Sequence, residues 1–178
     1  MIDIKLLEQL CLCNGISGDE GNVRNLIINE IKDCADDIKT DNLGNLIVFK
    51  KGKKSAKSKL MVSAHMDEVG LMVTDITSDG YLKFDEVGGI DRRVLPGKRV
   101  CVGRNGLNGV IGVKPIHLTN GDEKTAVPKM NDMYIDIGAE SREDALKYVN
   151  YGDGINFEGD FKIDRKSTRL NSSHSDRS

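Results

Sequence analysis

Apolar residues first recur at helical spacing. Ile4, Leu6, Leu7, Leu10 and Cys11 fall on one stripe of a period of about 3.6 residues, which predicts an amphipathic helix ended by Asn14-Gly15. Ser17-Gly18-Asp19-Glu20 follows and has the S-x-x-E form of a capping box. The Ser17 hydroxyl can accept from the Glu20 amide, and the Glu20 carboxylate can reach back. Val23, Leu26, Ile27 and Ile31 make one face of a second helix ending near Cys34. Ile38 to Thr40 and Leu46 to Phe49 flank a turn at Asp41-Asn42 and predict a hairpin. The basic run 51–59 has no apolar period and reads as a solvated loop, with an anionic-ligand patch as the alternative. Leu60-Met61-Val62-Ser63-Ala64 predicts a short strand buried on both faces, leading into His65-Met66-Asp67-Glu68-Val69-Gly70.

From Leu71 to about Ile163 the pattern changes to short β-type runs separated by turn signals such as Ser78-Asp79-Gly80, Asn105-Gly106 and Asn120-Gly121. Leu71–Ile76, Tyr81–Phe84, Arg99–Val102, Gly109–Val113, Met133–Ile137 and Gly154–Phe157 read as strands of a small barrel or sandwich. One helix interrupts them, with Ser141 as N-cap and Ala145, Leu146 and Val149 on its apolar side. From Lys166 onward the chain is rich in Ser and Arg with no apolar period, so 164–178 reads as a foreign or disordered tail. His174 goes with that tail, and Asp164 reads as an ordinary residue. The expected organisation is therefore 1–70, then a β-rich domain over 71–163, then the tail.

Composition narrows the function classes. A net charge of −2 gives no electrostatic case for nucleic acid or an anionic membrane. Aromatics at 4% and the absence of Trp argue against stacking platforms for bases or sugars. No stretch approaches the roughly 20 apolar residues that cross a bilayer, and the N-terminus is not a secretion signal. Cys11, Cys13, Cys34 and Cys101 match neither a C-x-x-C pair nor a zinc ribbon, so they read as reduced thiols of a cytoplasmic protein.

The candidate chemistry sits at His65 and Asp67. His65 alone among the histidines follows an apolar strand and precedes a carboxylate by two residues. The carboxyl end of a buried strand in an open α/β sheet is where ligand sites collect. A neutral imidazole there can bind Zn²⁺, and a carboxylate two residues on lies on the same face of an extended strand. That carboxylate can take the other ring N–H and orient the ligand. H-x-D is a short pattern that also suits a structural histidine. His117 lies inside the β-rich segment and reads as structural or surface. Asp91-Arg92-Arg93 reads as a salt-bridged loop or part of an interface.

Ser63-Ala64-His65-Met66-Asp67-Glu68-Val69-Gly70 resembles the first metal motif of the glutamyl-aminopeptidase and tetrahedral-aminopeptidase family of zinc exopeptidases, peptidase family forty-two, some of whose members carry the name endoglucanase. Gly15-Ile16-Ser17-Gly18-Asp19-Glu20, Thr40-Asp41-Asn42-Leu43-Gly44-Asn45-Leu46, Leu95-Pro96-Gly97-Lys98-Arg99-Val100, Gly109-Val110-Ile111-Gly112-Val113-Lys114-Pro115 and Tyr134-Ile135-Asp136-Ile137-Gly138-Ala139 fit the same family in the same order. The resemblance implies an α/β fold: the N-terminal part of a three-layer α/β/α domain, with a PDZ-like β-barrel inserted after the first metal motif. It implies two divalent ions, zinc or cobalt, with His65 a ligand to one and Asp67 the carboxylate that orients it. Peptides are the implied substrates, and dimers assembling into a larger homo-oligomer the implied particle. The implied reaction removes an N-terminal residue with a metal-activated water.

The family pattern also asks for a bridging Asp, a Glu-Glu pair, a further acidic ligand and a late His, all beyond the inserted domain. None is read in this chain. One imidazole does not make a catalytic zinc site, which takes about three protein ligands and a water. The chain as written is therefore expected to be inactive, and its longer parent an aminopeptidase. Related zinc carboxypeptidases and deacylases share the H-x-D motif, but their inserted domain is of ferredoxin type. A glucanase would need paired carboxylates and aromatic sugar contacts. The remaining rival is a non-catalytic scaffold or oligomerisation module. A sheet cut midway leaves an apolar edge, so 1–67 is expected to be unstable while the barrel stands alone.

Overall fold

A computed structural model describes residues 3–54, 58–114, 127–163 and 168–171. They fall into two compact units, Met1–Asp67 and Glu68–Ser178.

In the first unit Asp3 caps helix α1 (Ile4–Cys11), its carboxylate accepting from the amides of Lys5 at 3.0 Å and Leu6 at 3.2 Å. The helix stops short of the Asn14-Gly15 pair expected to end it, with Leu12 as its C-cap. Helix α2 (Gly21–Ile31) buries Val23. Strands β1 (Asp37–Thr40) and β2 (Leu46–Phe49) form the expected hairpin, in antiparallel register from Asp37↔Phe49 to Thr40↔Leu46.

Asp41 builds the hairpin turn. One carboxylate oxygen accepts from the amides of Leu43 (2.9 Å) and Asn45 (2.8 Å), and the other from the Asn45 side chain (2.8 Å). These bonds, the one from the Asn45 side chain foremost, hold the Asp41 carboxyl below its ordinary value. Gly44 follows at φ +87°, where a Cβ would be strained. Its carbonyl accepts from the Arg24 guanidinium at 2.8 Å, which ties the turn to α2.

The strand expected at Leu60–Ala64 does not form. These residues join no sheet, and Leu60, Met61 and Val62 are 91%, 88% and 86% exposed. A strand buried on both faces needs a sheet to join and layers packed over it, and β1 and β2 pair only with each other among the described residues. The buried apolar side chains described in this unit are Ile16 and Val23.

The second unit is a closed barrel of β3 (Gly70–Ile76), β4 (Leu82–Val87), β5 (Arg99–Val102), β6 (Leu107–Val113), β7 (Met133–Asp136) and β8 (Gly154–Phe157). The order around it is β3-β4-β7-β6-β5-β8, every pair antiparallel, and Leu71↔Ile155 closes the ring. Every strand expected between Leu71 and Phe157 is present. β4 runs on to Val87 because its pairing with β3 continues to Gly70, and β6 starts earlier, at Leu107, where it pairs with Val102.

The barrel core is made by period-two alternation. Leu71 and Val73 point inward from β3, but the next inward residue is Ile76. A register shift between Val73 and Asp75 marks a bulge at Thr74, which adds one residue and moves the inward phase. Leu82, Phe84, Val100, Val102, Ile111, Met133, Ile135 and Ile155 join them from the other five strands, and Leu95, Met130 and Val149 pack in from the connections. Helix α3 (Arg142–Ala145) is capped by the Ser141 hydroxyl, which accepts from the Asp144 amide at 3.2 Å, and it adds buried Ala145.

Strand β9 (Asp160–Ile163) pairs antiparallel with β10 (Thr168–Asn171), in register from Asp160↔Asn171 to Ile163↔Thr168. Part of the segment read as a tail is thus a strand, since ladder hydrogen bonds need no apolar period. Asp164 and His174 lie outside the described residues, as does His117.

Hydrogen exchange is expected to be slowest in the barrel strands and faster in α1 and α2. Ile135→Ala, a truncation at a fully buried position, is expected to cost about 2–5 kcal/mol of barrel stability in the same measurement. Asp41 sets a pH dependence for the hairpin. A carboxyl whose folded value is depressed stabilises above its unfolded value near about 4, and the effect is lost as pH falls through the lower folded value. In an acid titration the Leu43 and Asn45 amides are expected to lose protection below about pH 4, and Asp41→Asn to remove that dependence.

Candidate functional site

The first unit holds an open cleft of about 650 Å³ whose lining includes Asp41, Leu43, Ile47, Met61, His65 and Asp67. The sequence-predicted pair meets there, although the strand expected to present it is absent. The Nδ1 atom of His65 lies 2.9 Å from the Asp67 carbonyl oxygen and 3.0 Å from its carboxylate Oδ1. Both oxygens can only accept, so in the neutral ring the proton belongs on Nδ1. That leaves the Nε2 lone pair unprotonated on a side chain that is 84% exposed. With Nδ1 engaged, Nε2 is the nitrogen left able to bind a metal.

Asp67 is held from a second side. Its Oδ2 accepts a hydrogen bond from the Ser17 hydroxyl. The Ser17 bond first, and the His65 contact second, keep the Asp67 carboxyl below its ordinary value, so it is the charged form that faces the ring. The capping box expected at Ser17–Glu20 is therefore not made. Glu20 is itself the N-cap residue of α2, with no side-chain capping bond, and its carboxylate accepts from the Gly18 amide at 2.6 Å. Ser17 is the site residue that sequence reasoning missed. S-x-x-E is a local pattern, and the competing acceptor lies fifty residues away in the chain.

Gly15 explains the close approach of that loop. A Cβ there would stand 2.5 Å from Val23 Cγ2 and 3.5 Å from the Met66 carbonyl oxygen. With no side chain, residues 14–18 can lie against both α2 and the segment that carries Asp67.

The donor set fits one imidazole ligand with its orienting carboxylate. It does not make a complete metal centre: among the described residues no group of three His, Cys, Asp or Glu could hold an ion. The other candidates recede. Asp91-Arg92-Arg93 is a salt-bridged turn, with Arg93 on Asp91 and Arg92 on Glu86, and Asp91 is lowered to about 2 by Arg93. Burial first, and Glu158 second, push the Cys101 thiol up, which is wrong for a nucleophile. The four cysteines form no disulfide. No helix among the described residues is long and apolar enough to cross a membrane.

Comparison with known proteins identifies the family. Residues 44–177 match the family model described as M42 glutamyl aminopeptidase. A protein of Acetivibrio thermocellus provisionally named an aminopeptidase is 48% identical over 155 residues, covering 87% of this chain and 44% of its own length. The TET aminopeptidase of a marine-sediment Thaumarchaeota archaeon superposes with a TM-score of 0.84 at 34% identity, over 92% of this chain and 46% of that one. The Pyrococcus horikoshii TET1 peptidase, described as assembling into a tetrahedron or a large octahedral shell, gives 0.79 at 43% identity, over 92% and 48%. The chain thus spans less than half the length of each of these relatives. On the extent of the family match and these similarities, the chain belongs to the M42 glutamyl aminopeptidase family.

Proposed function

We propose that the protein is a metal-dependent aminopeptidase, that His65 is one ligand of its metal centre, and that Asp67 is the carboxylate that orients His65. The observation that carries this reading is the paired acceptor set on Nδ1, which leaves Nε2 open in a chain of an aminopeptidase family. A divalent ion held there supplies Lewis acidity toward a scissile carbonyl and an acidified water. Two ions, zinc or cobalt, belong to the proposal. Their remaining ligands and the general base then lie in the part of the relatives' length that this chain does not span.

Asp67 works in this scheme without touching substrate. It fixes the imidazole tautomer and, as an anion hydrogen-bonded to the ring N–H, makes Nε2 a better donor. The architecture is part of the same reading. Met1–Asp67 contributes to a three-layer α/β/α catalytic domain, and the barrel is a PDZ-like insertion through which copies assemble. The assembly described for the Pyrococcus horikoshii neighbour supports a homo-oligomer, and peptides are the substrates.

A second reading applies to the 178-residue polypeptide by itself. It lacks a described three-ligand group, and its barrel has a core of its own, so alone it is a non-catalytic scaffold. Purified chain incubated with Zn²⁺ or Co²⁺ and an aminoacyl chromogenic amide is expected to show no turnover, and metal-dependent turnover would refute this. The enzyme reading is tested on the product of the gene recovered with its downstream sequence. That product is expected to release N-terminal residues only with metal present, and Asp67→Asn to lower metal affinity or activity about 10–100-fold. His65→Ala is expected to lose at least as much. Full activity in either variant would remove His65 and Asp67 from the centre.

A further inference from the structure

The second oxygen of Asp67 has a partner that the proposed function leaves unexplained. A carboxylate turns about its terminal torsion in a broad, two-fold well, so one hydrogen bond to a ring does not fix its plane. Oδ1 and the backbone carbonyl of Asp67 face His65 Nδ1, and Oδ2 faces Ser17. With donors on both oxygens, rotation would break one bond to keep the other. The donors form an ordered chain: the Ser17 hydroxyl gives to Asp67, and the His65 ring N–H gives to Asp67 from the other side.

Three features aim Ser17 at this task. Gly15 allows its loop to lie against Val23 and the Met66 carbonyl. Gly18, at φ +90°, turns the chain directly after Ser17. Glu20 accepts from the Gly18 amide, so the carboxylate expected to share a capping box is occupied locally while α2 goes without a side-chain cap. The Ser17 hydroxyl is spent on a partner fifty residues along the chain, although helix capping was available next door.

We infer that Ser17 is a positioning residue for the His65–Asp67 pair: its hydroxyl locks the Asp67 carboxylate so that His65 is kept in the Nδ1–H form with Nε2 open. The value of this lock to a metal centre rests on the proposed function, whereas the lock itself is a property of the chain in hand.

The test reads the tautomer and needs neither metal nor activity. Long-range ¹H–¹⁵N correlation on the chain at about pH 8, where free imidazole is neutral, separates Nδ1–H from Nε2–H rings. His65→Gln identifies the His65 signals by their loss. The wild-type chain is expected to show His65 in the Nδ1–H form. Ser17→Ala is expected to shift it toward the mixture of a free side chain, with the exchange of α2 amides unchanged. Ser17→Thr, which keeps the hydroxyl, is expected to restore the wild-type pattern. An unaltered tautomer in Ser17→Ala would overturn the inference, and so would loss in Ser17→Thr as complete as in Ser17→Ala. Should Ser17→Ala unfold this unit, the wild-type chain decides. A cross-peak between the non-exchanging β-protons of Ser17 and Asp67 is expected, and its absence overturns the lock. Since no outcome involves catalysis, failure here leaves the aminopeptidase reading standing, and failure of that reading leaves the Ser17 contact measurable.

Discussion

A β-strand is secure only when its edges are paired and its apolar face is covered, and the two units meet that requirement very differently. In the second unit the chain closes on itself. β8 returns to β3, no barrel strand is left with an open edge, and the alternate residues of six strands share one interior. In the first unit the hairpin β1–β2 pairs only with itself among the described residues, and the apolar run Leu60–Val62 lies open to solvent. Order in the first unit therefore leans on polar devices: the Asp3 cap, the Asp41 turn and the Arg24 tie to Gly44.

The same reliance on directed polar contacts makes the candidate site possible in an exposed setting. The His65 side chain is 84% exposed, so packing does little to fix its ring. Its orientation comes from two oxygens of one residue, and that residue is held in turn by a serine from a distant loop. Each bond between exposed groups contributes little alone, but arranged in series they remove alternatives from one another.

Much of this was legible in the sequence where local pattern and tertiary demand agree. The barrel strands announced themselves through alternation and Gly-marked turns, because period two and a closed sheet ask for the same residues. His65 and Asp67 were legible as a pair because i, i+2 spacing suffices to bring them together. Leu60–Ala64 was misread because a buried strand is a property of its neighbours as much as of its own residues. Ser17 was misread because a hydroxyl with a good local use had a better distant one, and no periodicity records a long-range hydrogen bond. The pairing of Thr168–Asn171 leaves no mark in the apolar pattern, because backbone ladders form without one.

The bulge at Thr74 carries a consequence for how this barrel can change length. Anywhere else along a strand, losing one residue exchanges its inside for its outside and drives polar groups into the core. At Thr74 the extra residue is already outside the alternation, so its removal would leave Leu71, Val73 and Ile76 all facing inward and Asp75 still outward. The strand thus contains a point where it can lose one residue and keep its inward and outward faces.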